Sequence, residues 1–480
     1  MNRLSRATFT TTVPDAAGIV HLGLGAFFRA HQAVYTQDAM AAAGGDWGIV
    51  GVAPRSVTVL DALRAQDGLY SVTTLSAADR SARVISVLTE LLHAAADPDA
   101  VVARIADPAI RVVTLTVTEK AYRLDPATGR LLLDDDLRAD LGTDRPPRSV
   151  PGLLVRGLAA RHRAGAGPIA LVSCDNLPGN GHRLRGLVTQ SLRHLPDAGR
   201  LTDWVAANVS FPGTMVDRIV PATTAETLDI AARELGLTDL AAVHGEPYTQ
   251  WIIEDDFPGG RPAWDAAGAV LAGDPGPWER LKLRTLNGVH SAIAYLGAVA
   301  GRDTIAAALT IPGLEDAMRR LIAEDIAPSL TPPEGITTIG YGEEVLHRFA
   351  NPAIGHRTVQ VAMDGTQKLP QRVLDTIAAR RATGATPRWA TLVVAAWMRF
   401  VQGTADDGRE LPLDDPLAPK IRSLLAAAPS TPDAVVGALL SLDTVFTAEL
   451  AADETVRELL VHWLTALHKH GVEATLAGAA

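Results

Sequence analysis

The stretch Ala16-Gly-Ile-Val-His-Leu-Gly-Leu-Gly25 constrains the fold more than any other part of this 480-residue chain. A short apolar run ends in glycines and passes into a helical pattern over residues 27–43, the strand, tight turn and helix of a nucleotide-binding unit. Gly23 and Gly25 would let the backbone approach a pyrophosphate, whose charge the N-terminus of the next helix would meet. Arg29 and His31 add donors in its first turns, with Phe27 beside them. The fingerprint is partial, because Phe28 stands where its third glycine belongs. A lone Gly-x-Gly is more often just a turn.

A second apolar run over residues 47–53 is expected to be the second parallel strand. Dinucleotide-binding folds place an acidic residue near its end to hold the ribose hydroxyls. Here the run leads into Pro54, Arg55 and Ser56 with no acid, and these would serve a 2′-phosphate equally well, so NAD and NADP both stay open. Further strands are expected at residues 84–88, 110–117 and 168–173, with Ala-rich helical segments between them. The alternation reads as α/β with a largely parallel sheet. Two polar clusters follow such strands, where open parallel sheets bind ligands. The first is Thr116-Val-Thr-Glu-Lys-Ala-Tyr122 and the second Ser173-Cys-Asp-Asn-Leu-Pro-Gly-Asn-Gly-His182. The amide of Asn176 would suit polarising a substrate oxygen; taken alone, an Asx cap on the next helix is the better reading of Asp175 and Asn176.

From about residue 278 the texture changes to long Ala/Leu-rich helical patterns, broken near residues 312, 328–335, 384, 403–407 and 429–432. Residues 1–277 are therefore read as the nucleotide-binding domain and residues 278–480 as a mostly helical one, with Lys282 expected at the cleft between them. Around it, Glu279-Arg-Leu-Lys-Leu-Arg-Thr-Leu-Asn-Gly-Val-His290 places a base, an amide and an imidazole along one apolar run. At ~100° per residue on an α-helix, Asn287 lies about 140° and His290 about 80° from Lys282, and the axial rise to His290 is ~12 Å. One pocket wall would hold all three, although spacing alone favours an ordinary amphipathic helix with solvated polar residues. The tail over residues 472–480 is small and apolar and is expected to fray.

Composition narrows the function. The chain is 47% hydrophobic and 20% charged, enough to bury a large core. A net charge of −10 and the lack of a long Lys/Arg run argue against a nucleic-acid partner. Small-molecule chemistry is the better default. Cys174, the single cysteine, rules out an internal disulfide framework and a Cys-rich zinc site, and fits a reducing cytoplasm. At a strand end it reads as a packed small hydrophobe. The first residues lack a signal-length apolar stretch, and no run of ~18 uncharged apolar residues suggests a membrane span.

The chain resembles the mannitol dehydrogenase family of polyol and sugar-acid dehydrogenases over nearly its whole length. The landmarks are Gly23-Leu-Gly-Ala-Phe-Phe-Arg-Ala-His31, Thr116-Val-Thr-Glu119, Ser173-Cys-Asp-Asn-Leu-Pro-Gly-Asn-Gly181, Phe211-Pro-Gly-Thr-Met-Val-Asp-Arg218, the segment 282–290, and Asp364-Gly-Thr-Gln-Lys368. The resemblance implies a Rossmann-type N-terminal domain, a helical C-terminal domain, an active site between them, a nicotinamide cofactor and no metal. It implies that Lys282 is the general acid/base, that Asn176 and Asn287 donate hydrogen bonds to the reacting oxygen, that His290 positions the substrate, and that Glu119 relays protons. Asp217 matches a position close to the cofactor and Lys368 a substrate-contacting lysine. A monomer or small oligomer is expected.

The chain departs from the family pattern at Phe28, where many members have histidine, and at Val57 and Thr58, which replace an acidic pair. Gln360 stands where mannitol 2-dehydrogenases have arginine. The string from His356 to Arg372, together with Glu119-Lys120, resembles the fructuronate reductase branch. Arg357, Lys368 and Arg372 would suit a substrate carboxylate, and a surface or inter-helix salt bridge is the equal alternative. The leading expectation is a cytoplasmic NAD(P)-dependent, metal-free oxidoreductase interconverting fructuronate and mannonate. A polyol dehydrogenase acting on mannitol, arabinitol or sorbitol is the alternative.

Overall fold

The computed structural model describes residues 1–479 apart from 76–79, 126–127 and 196–197. The chain divides into two compact units, Met1–Gly276 and Pro277–Ala480. In chain order the strands are β1 Ala17–Leu22, β2 Gly48–Ala53, β3 Tyr70–Leu75, β4 Arg80–Ile85, β5 Leu88–His93, β6 Val112–Leu115, β7 Ile169–Ser173, β8 Val209–Ser210, β9 Thr214–Asp217, β10 Val243–Gly245, β11 Gln250–Glu254 and β12 Val270–Ala272.

Strands β5-β2-β1-β6-β7-β8 form one sheet in that order, every pair parallel. Its strands read 3-2-1-4-5-6 in sequence order, the doubly wound dinucleotide-binding topology, with the order reversing between β1 and β6. Successive side chains of a strand point to opposite faces. Ile19 and Ile49 thus enter one core with Val112, while Val20 and Val50 enter the other with Val113. Because both faces are covered, these strands read as continuous apolar runs.

Two smaller sheets, β10-β3-β4 and β12-β11-β9, complete the first unit. The strand expected at residues 84–88 is corrected here. Its first part belongs to β4, antiparallel to β3, while β5 starts at Leu88 and joins the main sheet. Ser86 marks the crossing, its N–H donating to Gln37 Oε1 and its hydroxyl to the Thr12 carbonyl. The expected helix over 27–43 is interrupted at His31 (φ −129°, ψ −86°), between Ala26–Ala30 and Gln32–Ala43. The buried His31 ring sets this break by meeting the Gln250 carbonyl at 2.9 Å and stacking on Phe27.

The second unit is helical. Its central helix, Gly288–Val299, is buried at every position and packs against Thr358–Ala362 and Arg388–Phe400. Asp325 accepts from the N–H groups of Trp389 and Ala390 at the start of the latter helix, satisfying two donors that a helix N-terminus leaves open. The tail does not fray. After a kink at Gly471 it continues to Ala479, with Val472, Thr475 and Leu476 buried and the Ala479 carbonyl accepting from Arg320 at 3.1 Å. Apolar burial outweighs the lack of large side chains there.

Candidate active site

A cavity of about 590 Å³ opens at the carboxyl ends of β1, β2 and β6, where the strand order reverses. Gly23, Leu24 and Gly25 form one wall, Ala53 to Ser56 another, and Thr116 to Thr118 a third. The two glycines are there for different reasons. Gly23 has φ +111°, and a Cβ on it would stand 2.0 Å from the Thr116 carbonyl oxygen, so the turn itself requires glycine. Gly25 has an ordinary φ of −63° and nothing within 4 Å of its missing Cβ. The fold makes no demand on Gly25; a ligand lying against its backbone would.

Beneath the turn, the imidazole of His21 meets Thr114 Oγ1 at 2.7 Å, the Gly23 carbonyl at 2.7 Å and Thr116 Oγ1 at 2.9 Å. Burial pushes its pKa down to about 3, so the ring is neutral. Phe28 stacks on it at 3.5 Å between centroids, with the ring planes nearly parallel. The residue that breaks the glycine fingerprint therefore closes the helix onto β1 with a ring stack in place of a close backbone approach. Sequence reading missed His21 because a histidine inside an apolar strand shows nothing of its partners.

Of the expected cofactor residues, Gly23, Gly25 and Arg55 line the cavity. The other three are placed differently. Phe27 is half-buried against His31. Arg29 turns inward: its guanidinium donates to the Leu24 and Ala241 carbonyls and lies over the Tyr70 ring, and burial lowers its pKa. Asp217 ends β9, opposite Gln250 on β11, and does not line the cavity. Lys120 and Arg148 also line it; Lys120 was noted only within the polar cluster at residues 116–122, and Arg148 lies in a stretch without a motif.

Glu119 opens a short 3₁₀ turn, Glu119–Tyr122, with its carboxylate half-exposed and 4.0 Å from Arg183. The loop after β7 carries Asn176. Tyr122 ties the two loops together, its hydroxyl donating to Asp175 at 2.7 Å and lying 2.6 Å from the Ser173 hydroxyl. Asn180 clamps the other side by donating to the carbonyls of Asp175 and Thr214. The Asx-cap expectation is corrected: the following helix, Asn180–Leu192, has Gly179 at its N-cap and no side-chain cap. Asp175 serves the loop instead, and burial raises its pKa to about 7 against the pull of the Tyr122 hydrogen bond. Cys174 is buried, and burial raises its thiol pKa well above the ordinary value, so it is a packed small hydrophobe.

In the helical unit, Lys282, Asn287 and His290 are 6%, 5% and 9% exposed, so the solvated amphipathic alternative is corrected. The α-helical spacing is corrected as well. Lys282–Asn287 is a π-helical turn, whose i→i+5 hydrogen bonding sets Asn287 one turn above Lys282. Two more π turns follow, Leu321–Ile326 and Pro370–Leu374, the latter opened by Pro370, which has no N–H to close an α turn. The first and last of these turns approach closely: a Cβ on Gly288 would lie 2.8 Å from the Arg372 carbonyl oxygen.

His290 stacks on Phe349 at 4.5 Å and meets the His356 ring edge-on at 4.9 Å. Burial lowers its pKa well below the ordinary value, and His356, Arg372, Lys368 and Arg348 push it the same way. The imidazole is neutral, with Nε2 buried and unpartnered among the described residues. Arg372 donates to the Ser291 hydroxyl at 3.0 Å. Lys368 donates to the carbonyls of Val361 and Met363, and burial, followed by Arg372, lowers its pKa to about 8. Arg357 and Gln360 are exposed, and the Arg357 backbone pairs with Thr304. Lys368 thus joins the group around His290, whereas Arg357 and Gln360 point to solvent. Arg348 and Phe349, at the end of one helix, were missed, and His356 was noted only as the start of a string and not as a neighbour of His290. Among the described residues no group of three or more His, Cys, Asp or Glu side chains is placed to hold a metal ion. No described helix is long and apolar enough to cross a membrane.

A parallel sheet of this order with a cavity at its switch point, in one chain with a helical unit holding a buried lysine, amide and imidazole, defines a dinucleotide-dependent enzyme. Residues 17–266 match the mannitol dehydrogenase Rossmann domain and residues 274–468 the mannitol dehydrogenase C-terminal domain. The chain belongs to the mannitol dehydrogenase family and is an oxidoreductase. It is 42% identical to the uncharacterized oxidoreductase YeiQ of Escherichia coli (strain K12), over 90% of this chain and 88% of that one. It is 41% identical to the D-mannonate oxidoreductase of the same organism, over 90% and 89%. Among solved structures it is similar to Pseudomonas fluorescens mannitol 2-dehydrogenase in a ternary complex with NAD and D-mannitol, at 32% identity and a TM-score of 0.86, covering 100% and 99% of the two chains.

Proposed function

We propose that this protein interconverts a sugar-acid ketone and its alcohol, fructuronate and mannonate, with NAD(H) and with Lys282 as acid and base. The observation that carries the sugar-acid reading is the gathering of Arg348, Lys368 and Arg372 about a neutral, buried His290. Neither Lys368 nor Arg372 makes an ion pair among the described residues, and Asp415, a nearby acid, is occupied by the Thr366 N–H and hydroxyl and the Leu417 N–H. Lys368 and Arg372 are thus left without a direct carboxylate partner, and a substrate carboxylate would meet them with charge-assisted hydrogen bonds. The likeness to D-mannonate oxidoreductase supports the same substrate class.

The cavity at the β1/β6 switch fits a nicotinamide dinucleotide: Gly25 leaves its wall bare, and no carboxylate lines it to repel a pyrophosphate. Bound there, the nicotinamide supplies the hydride acceptor or donor. Lys282 takes the hydroxyl proton during oxidation and returns it during reduction, while Glu119 passes protons to and from solvent. Asn176 and Asn287 donate to the oxygen as negative charge develops, a role amides perform without titrating. Neutral His290 orients the substrate with its buried Nε2.

The test is an absorbance screen at the nicotinamide band, with NADH and NADPH, against fructuronate, tagaturonate, fructose and xylulose. Reduction of a uronate supports the reading; reduction of fructose or xylulose alone sinks it. The second reading, a polyol dehydrogenase, is favoured by the likeness to mannitol 2-dehydrogenase and by the exposure of Arg357 and Gln360, which leaves fewer groups for a carboxylate than the sequence suggests.

A further inference from the structure

We infer that Arg55 and Ser56 form a seat for the 2′-phosphate of NADP(H), so that this cavity accepts the phosphorylated cofactor at least as well as NAD(H). The inference rests on the cavity being the dinucleotide site.

The end of the second strand is where such folds choose between the two cofactors. A carboxylate there holds the ribose hydroxyls of NAD and repels a phosphate, whereas an arginine accommodates it. Here β2 ends at Ala53, and the chain passes through Pro54 to Arg55 and Ser56, all lining the cavity. Register places Ala53 beside His93 at the end of β5, and His93 Nε2 meets the Arg55 carbonyl at 3.0 Å. The backbone is thereby fixed while the guanidinium is left exposed, with no ion pair among the described residues. The first acid after β2 is Asp61, which lies within the helix Thr58–Arg64, faces Arg64 at 3.9 Å and does not line the cavity.

The rest of the lining has the same sign. No Asp or Glu contributes to it, and its cations are Arg55, Lys120, Arg123 and Arg148. Arg123 is neutralised by Asp134, while Lys120 and Arg148 make no ion pair among the described residues. The helix that begins at Ala26 has only five residues, too few to meet phosphate charge with its dipole. Side-chain cations must do so, and Arg55 is the one at the ribose end. Its planar fork suits a phosphate monoester, and the Ser56 hydroxyl adds a further donor.

Isothermal titration of the full chain with 5′-AMP and with adenosine 2′,5′-bisphosphate isolates this contact from turnover. The bisphosphate is expected to bind about tenfold tighter or better, and Arg55→Ala to remove that advantage while leaving AMP within about threefold. Arg55 is exposed, so this variant should keep the melting temperature of the parent, which serves as the folding control. A parent that binds AMP more tightly than the bisphosphate overturns the inference, as does an Arg55→Ala variant that weakens both ligands equally. Failure of the parent to bind either one overturns the dinucleotide reading itself, and with it the seat.

Discussion

Replacing Asp175 by asparagine should remove a dependence of stability on pH from the loop that carries Asn176. The folded-state pKa of Asp175 is about 7 against an ordinary 3.8, chiefly through burial. The folded protein therefore holds this proton over a window in which the unfolded chain has released it. Stability from the raised pKa is complete below about pH 4 and is lost as pH rises through about 7. Between pH 5 and 8.5 the loss amounts to ~3 kcal/mol at 1.36 kcal/mol per unit. Asparagine is neutral throughout and still accepts from Tyr122, but its amide brings donors that cost about 1–3 kcal/mol if unpaired. Asp175→Asn should thus be the less stable form at pH 5 and the equal or more stable one at pH 8.5. Unfolding midpoints of both proteins across this range are expected to change their difference by about 5 °C or more. A difference that stays constant with pH would show that Asp175 ionises freely in the fold and would refute the reasoning.

The two cavity glycines should separate fold from binding. Gly25→Ala is expected to leave the melting temperature unchanged while weakening nucleotide affinity in a fluorescence titration about tenfold, whereas Gly23→Ala, at positive φ and 2.0 Å from a carbonyl, should destabilise by about 3 kcal/mol or more in chemical unfolding. Lys282→Ala should reduce kcat about 10²- to 10⁴-fold with cofactor affinity retained by titration, and undiminished turnover would remove the lysine from the chemistry. Lys368 loses its charge above its pKa of about 8, so KM for a sugar acid should rise above that pH. Lys368→Met should already show a raised KM at pH 7 and no such dependence, while KM for a neutral polyol stays flat.

The parallel sheet was readable because both of its faces are covered, so residues 17–22, 48–53 and 169–173 appear as unbroken apolar runs bounded by turn residues. The same rule failed at residues 80–93. There β4 is half-exposed, with Arg80, Ser81 and Arg83 outward, and the apolar signal is confined to its last residues and the start of β5, which merged into one short run. The tail misled for a related reason: alanine and glycine look uninformative, yet Leu476 and Val472 between them are enough to seat a helix. Gly23, Gly25 and Arg55 were legible as a ligand wall because backbone geometry at a strand end is local. Arg29 was not, since whether a guanidinium faces a ligand or a carbonyl 212 residues away is decided by tertiary structure.

The π turns show where sequence reading had to stop. An α-helix is recognised by contrast between a buried and an exposed face, and Gly288–Val299 is buried all round, so no periodicity remains to report a change of pitch upstream. Pro370 was a local cue, and it marks only the turn that it opens. A π turn is rare as a local conformation and needs surrounding contacts to hold it, which here include the close approach of Gly288 to the Arg372 carbonyl. That approach joins the turn bearing Lys282 and Asn287 to the turn bearing Arg372, and Arg372 in turn holds Ser291, next to His290. Residues that the sequence shows as separate polar positions are thus one packed unit, in which widening either turn alone would displace the other. A third π turn, Leu321–Ile326, carries none of the buried lysine, amide, imidazole and guanidinium, so the less common turn belongs to the way these helices pack, and the proposed function would draw on the two turns that hold Lys282, Asn287 and Arg372.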